Sequence, residues 1–560
     1  MRTIIIAACA LAGLLASVAT AAPAGGDLVL LNGRIYTADP ELGVVEALAI
    51  ADGKVIAAGL SADVRDRAGD GARVLDLGGR FAMPGFNDAH AHLGHAALQA
   101  VTLNLNGTGS LAELQERLAA YVADVPAGEW VYGRGWDESL WLAAAVPTVD
   151  DLDAITDQHP VLLERADGHS AVANSLALDR AGIDAATPDP GGGVIVRDGD
   201  GIATGWLKET AQIQVEQLIP APSADRLRVG LDKVFDDALA NGVTSIQDDS
   251  LRIGAHGRTA VAVLESMVDA GELPVRVSTW LPFDAPVPEL QALRDRLGVD
   301  NPWLRAGLLK TNIDGSGGSL SAAMLEDYET APGNRGLLLL EADELNRLVV
   351  ERDAAGFQIG IHTIGDRANR LILDAYAAAR EANGERDARH RVEHAQFITD
   401  EDVPRFAELG VIASMQPCHL LTDMRWAPAI LGPEREAEGY RWRSLLDAGA
   451  RLAFGTDFPV EPIDPFRGLY ASLSREFEVG GPEGGWVPEE KIDIDQAIVA
   501  YTRDAAYAEF EDHRKGTLAP GMLADLIVLS DDLRSLPPAE LLDVKVEYTV
   551  VDGHVRYERQ

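Results

Sequence analysis

The chain has 560 residues, of which 47% are hydrophobic and 24% charged, an ordinary globular composition that excludes disorder, collagen and coiled coil. A chain this long buries a core that needs no disulfide staples. Its 88 acidic and 48 basic residues give a formal charge of −40, which disfavours nucleic acid and anionic lipid surfaces as partners.

The N-terminus reads as a secretory signal over residues 1–21. Arg2 supplies positive charge, Ile4 to Val18 is an apolar run too short for a comfortable span, and Ala19-Thr20-Ala21 offers a cleavage site near Ala21. The expectation is a periplasmic or secreted protein with no membrane span in the mature chain. Cys9 would leave with the signal. Cys418 would remain alone, so no internal disulfide is expected, and the thiol reads as a small buried hydrophobe.

Residues 22–82 alternate and turn like strands, broken by Asn-Gly, Asp-Gly and Gly-Gly. Residues 511–560 repeat this style, with Asp552-Gly553 as a hairpin turn. Neither piece is large enough to fold well alone, so both ends together are expected to build one small β-sandwich domain.

Residues 83–510 alternate between strands and helices. The strand candidates are 81–86, 243–247, 275–281, 304–313, 358–362, 390–394, 411–416 and 451–455. Helical patterns such as 366–382 and 404–409 lie between them. This pattern predicts an α/β fold, a (β/α)8 TIM barrel. About 150 residues separate the first two strands, far more than one helix needs. Residues from about 105 to 230 are therefore expected to be an insertion after the first strand, over the active face.

The sharpest chemical signal is Pro84-Gly85-Phe86-Asn87-Asp88-Ala89-His90-Ala91-His92. Strand period two puts His90 and His92 on one side, where two imidazoles can hold one metal ion. Lys310, His362, His394 and Asp457 sit at or just after the ends of later strand candidates. In a barrel those ends form the active face. His169 and His419 are candidates for substrate contact, and Trp136 and Trp426 for an apolar wall. His95 and Glu393 read as structural, the latter because it should point away from its neighbour His394.

This set resembles the amidohydrolase superfamily, and more closely the amidohydrolase family 3 branch that includes N-substituted formamide deformylase. The stretches that carry the likeness include Gly133-Arg134-Gly135-Trp136-Asp137, His362-Thr363-Ile364-Gly365-Asp366, Arg391-Val392-Glu393-His394-Ala395 and Gly455-Thr456-Asp457-Phe458-Pro459. The resemblance implies a site for two divalent metal ions, zinc by default. His90, His92 and Asp457 would hold the first ion and His362 and His394 the second, with Lys310 as a bridging carboxylated lysine. It further implies hydrolysis of a C–N bond (amide, N-formyl or N-acyl) in a small-molecule substrate by a metal-activated hydroxide. Asp457 would be the catalytic proton carrier, and the protein a homodimer. The chain departs from the family where Leu320 and Ser321 replace an Arg-Thr pair. The alternatives are a mononuclear deaminase or an ester or lactone hydrolase on the same fold, and a non-catalytic metal- or ligand-binding protein.

Overall fold

A computed structural model describes residues 28–68, 71–220, 222–252 and 254–560. The signal-peptide reading and Cys9 lie outside the described residues. Eight parallel strands make the central sheet: β1 (Phe86–Ala91), β2 (Val243–Asp248), β3 (Arg276–Pro282), β4 (Leu304–Asn312), β5 (Ile359–Thr363), β6 (Arg391–His394), β7 (Ile412–Met415) and β8 (Arg451–Phe454). They neighbour one another in chain order, and the sheet closes on itself where Ala91 bridges Phe458 in parallel. This is the barrel the sequence predicts. The strands are buried on both faces, as parallel strands covered by helices must be.

One strand differs from expectation. Phe81 to Phe86 is not a single strand, because Phe81–Pro84 pairs with Leu526–Leu529 in another sheet and the barrel strand begins at Phe86. The chain changes sheets at Gly85, where a Cβ would lie 2.2 Å from the Thr244 side chain, so only glycine fits.

Both chain ends build the β-sandwich. A four-stranded sheet holds Leu28–Leu31, Ala47–Ala51, Lys54–Gly59 and Arg73–Asp76. A six-stranded sheet joins Arg34–Tyr36, Val44–Val45 and Phe81–Pro84 to Leu526–Leu529, Val546–Val551 and His554–Glu558. Leu30, Leu48 and Ile50 of the first sheet pack in one apolar core with Ile35, Leu526 and Val550 of the second. Arg276 of β3 fastens this unit to the barrel through Asp525, 2.6 Å away and likewise buried.

Between β1 and β2 the insertion carries its own six-stranded sheet, ordered Gly193–Arg197, Ala203–Glu209, Ser170–Ala173, Val161–Arg165, Val131–Trp136, Leu103–Asn104. Its expected end near residue 230 falls inside the helix Ala224–Ala240, which packs on α1 (Leu93–Ala100). Gly230 makes that crossing possible, since a Cβ there would sit 2.1 Å from the Ala97 carbonyl oxygen. Two further helices matter below: α2 (Thr210–Glu216) in the insertion and α3 (Gly254–Ala270) after β2. No helix among the described residues is long and apolar enough to cross a membrane.

Candidate active site

The C-terminal ends of the barrel strands and the insertion enclose a cleft of about 600 Å³. His92, Lys310, His362, His394, Asp457, His169 and His419 all line it. His90 lies just beneath, fully buried on β1. Trp136 does not reach the cleft. It is fully buried in the insertion's own core, beside Trp141 and Leu163, and its indole N–H donates to the Leu163 carbonyl at 2.8 Å. The expectation of a substrate contact at Trp136 is thereby corrected: strand alternation turns this side chain inward. Trp426 supplies an aromatic wall instead.

Asp457 is the hub. One carboxylate oxygen, Oδ1, lies 2.9 Å from Nε2 of His92 and 3.5 Å from Nε2 of His90. The other, Oδ2, lies 3.5 Å from Nε2 of His419. His90, His92 and Asp457 offer ligand atoms within 4.8 Å of one another, and so do His394, His419 and Asp457. Nε2 of His90 and of His419 and Oδ1 of Asp457 are buried without hydrogen-bond partners. Such a group of converging lone pairs fits a divalent cation and is costly without one. The rings of His362 and His394 lie 4.5 Å apart, and those of His90 and His394 4.9 Å apart.

Supporting hydrogen bonds orient the imidazoles. Nδ1 of His90 meets Glu393 at 2.7 Å, Nδ1 of His394 meets the side-chain oxygen of Gln416 at 2.7 Å, and Nδ1 of His92 meets the Asp249 carbonyl at 3.1 Å. Each acceptor places the proton on Nδ1 and leaves Nε2 with a lone pair facing the centre. Burial pushes the basicity of His90, His362 and His394 down, which keeps these rings neutral. His394 and Asp457 have φ of 74° and 59°, a left-handed backbone uncommon for non-glycine residues.

Lys310 is fully buried at the end of β4, and its ammonium lies 3.1 Å from Asp249. Burial would also raise Asp249, yet Arg252 at 2.8 Å and Lys310 hold it strongly ionised. Nε2 of His362 is 3.2 Å from the Gly315 carbonyl oxygen. His362 lies outside the tight groupings of imidazole and carboxylate ligand atoms around Asp457.

On the insertion side, Nδ1 of His169 is 3.0 Å from Glu209 and its ring 5.2 Å from that of His362. Ser321 donates to the same Glu209 at 2.7 Å. The position where the family pattern is broken thus supports Glu209, which in turn holds His169. Cys418 is fully buried, with Sγ 3.5 Å from the Thr456 carbonyl oxygen, and burial pushes its thiol well up.

Three residues escaped sequence reasoning. Asp249 follows β2 in the polar run Gln247-Asp248-Asp249-Ser250, the same strand-end signal that marked the others. Glu393 turns into the barrel interior and meets Nδ1 of His90 from behind. His95, expected to be structural, lines the cleft and groups with Glu216 and His256.

A family model described as "Amidohydrolase family" matches residues 73–557. Protein LONG AFTER FAR-RED 3 of Arabidopsis thaliana is 36% identical, over 91% of this chain and 88% of its own length. N-substituted formamide deformylase of Arthrobacter pascens is 30% identical, over 95% of this chain and 98% of its own. Among solved structures, an uncharacterized metal-dependent hydrolase from Pyrococcus horikoshii superposes with a TM-score of 0.73 at 28% identity, covering 91% of this chain and 99% of that one.

Proposed function

From the premise that this chain belongs to the amidohydrolase family, a family of metal-dependent hydrolases, we propose that it cleaves a C–N bond (amide, N-formyl or N-acyl) in a small molecule. The observation that carries this reading is the convergence of unpartnered Nε2 of His90 and Oδ1 of Asp457 with Nε2 of His92 at one buried point. These three residues would hold a first divalent cation, zinc by ligand type. A bound cation there supplies Lewis acidity and a water of lowered pKa.

The chain's own residues do the rest. Asp457 takes the proton from the attacking water on Oδ2, the oxygen turned towards His419, and delivers it to the leaving nitrogen. His169 and His419 face the cleft as hydrogen-bond partners for the substrate's polar atoms. Trp426, Ile213 and Leu339 give an apolar wall suited to an N-alkyl, N-aryl or acyl substituent. The insertion walls one side of the cleft through Arg165, Asp167, His169 and Glu209. The likeness to N-substituted formamide deformylase supports an N-formyl or N-acyl substrate.

A second cation at His362 and His394 requires Lys310 as a bridging carbamate. The Lys310–Asp249 ion pair instead favours a second reading, in which one cation suffices and Lys310 stays an ammonium. A deaminase or an ester or lactone hydrolase would be compatible with that centre. Export to the periplasm or the medium after cleavage near Ala21, and a homodimer, complete the proposal.

The test is metal analysis of purified protein together with a panel of N-formyl, N-acyl, ester and aminated heterocycle substrates. Release of a carboxylate and an amine, abolished by Asp457→Asn, supports the reading. Ammonia as the only product supports the deaminase. Stoichiometric metal without turnover of any substrate class overturns hydrolysis altogether. If Lys310 bridges, Lys310→Ala binds less metal and bicarbonate restores activity to protein prepared without carbon dioxide. An unchanged metal content rejects the bridge.

A further inference from the structure

At the seam between barrel and insertion, three side chains meet that the active centre leaves unused. His95 comes from α1, Glu216 is the last residue of α2, and His256 lies in the first turn of α3. Each offers one ligand atom, and the three atoms lie within 4.8 Å of one another. The two imidazoles stack with centroids 4.9 Å apart and planes at 23°. His256 is 8% exposed, and its Nε2 is buried with no hydrogen-bond partner.

We propose that His95, Glu216 and His256 form a separate divalent-cation site that fastens the insertion to the barrel. Two imidazole nitrogens and one carboxylate oxygen make the donor set of a zinc-type ion, with a fourth position left for water. The oxygens are too few for calcium, and there is no soft sulfur to select a thiophilic metal. The one buried nitrogen without a partner is explained by a ligand that accepts its lone pair. Arg134 and Arg258 are cations in the neighbourhood of His256; Glu164 pairs with Arg134 at 3.2 Å and offsets that charge, and Glu216 supplies the ion's own counter-charge. The three ligands belong to three elements, two from the barrel and one from the insertion. Filling the site would therefore fix the wall of the cleft that Glu216 shares.

The experiment uses the full chain, stripped with a chelator and titrated with zinc or cobalt(II). Bound metal is counted for the parent, His256→Ala, Glu216→Gln and Asp457→Asn, and the cobalt absorption spectrum and the protease sensitivity of the insertion are followed. The expected result is that His256→Ala and Glu216→Gln each bind about one equivalent less than the parent, lose one component of the cobalt spectrum and leave the insertion cleavable in the presence of metal. Asp457→Asn alters a different spectral component and keeps the insertion protected. Should His256→Ala fail to fold, the near-isosteric Glu216→Gln carries the same test. The proposal is overturned if both seam variants keep the parent's stoichiometry, spectrum and protection. Because the readouts are metal content and proteolysis, they stand even if the chain hydrolyses nothing.

Discussion

Nδ1 of His90 lies 2.7 Å from Oε2 of Glu393, and both side chains are completely buried. Burial alone would raise the Glu393 carboxyl, but Arg391 and His90 hold it down at about 2, so it is ionised throughout the working range. Its charge fixes the His90 tautomer and raises the basicity of the opposite nitrogen. Glu393→Gln is expected to weaken metal binding about 10- to 100-fold, as loss of such a supporting carboxylate does. Competition with a chromophoric chelator measures it. Unchanged affinity would mean that Glu393 serves only to neutralise Arg391, which it contacts at 2.7 Å.

Asp457 is asked both to bind and to carry a proton, and Asp457→Asn should remove the second role more completely than the first. The amide can still ligate through oxygen but accepts no proton. The expected outcome is a fall in kcat of about 10²- to 10⁴-fold, with a smaller loss of bound metal. Kinetics and metal analysis on the same preparation separate the two roles. Equal losses of metal and activity would reduce Asp457 to a ligand.

Much of this site was legible because barrels place their chemistry at strand ends, and strand ends show in sequence as a polar residue closing an apolar run. His90, His92, His362, His394 and Asp457 were all found this way. Phe81 to Phe86 reads as one apolar strand in sequence, while the close approach of Gly85 to Thr244 marks the point where Phe81–Pro84 and the strand that begins at Phe86 part into different sheets. Glu393 and His394 illustrate another limit. Period-two alternation holds only for extended backbone, and His394 with φ of 74° leaves it, so His394 turns to the cleft while Glu393 lies in the barrel interior against Nδ1 of His90. Trp136 and Trp426 show the remaining limit. Which aromatic lines a cleft depends on how the insertion packs, and its register is not written in local pattern.

The His169–Glu209 pair gives a pH signature. Burial would lower the His169 pKa, but the Glu209 carboxylate 3.0 Å away outweighs it and raises the pKa to about 9. The imidazolium is therefore present below about 9 and is lost as pH rises through that value. If its charge helps to hold the substrate or its oxyanion, kcat/KM falls on the alkaline side near pH 9. Glu209→Gln removes the raising charge and leaves burial, so the alkaline limb should move towards neutral pH. A profile identical in parent and variant would show that His169 makes no charged contact in the rate-determining complex.

Trp136→Phe tests the reassignment of that residue from cleft to core. Its indole nitrogen is the donor to the Leu163 carbonyl, and the ring is packed among Leu103, Trp141 and Leu163 with no exposed surface. Phenylalanine keeps most of the apolar contact but gives up the hydrogen bond to that carbonyl. The expected cost is about 0.5–1.5 kcal/mol of stability, seen in denaturant or thermal unfolding. Because the side chain lies in the insertion's own core, KM should stay at the parent value for every substrate that is turned over. A change in KM without a change in stability would return Trp136 to the substrate's surroundings. Trp426→Ala, at the cleft wall, should show the opposite pattern, a raised KM for substrates with bulky apolar groups and less effect on unfolding.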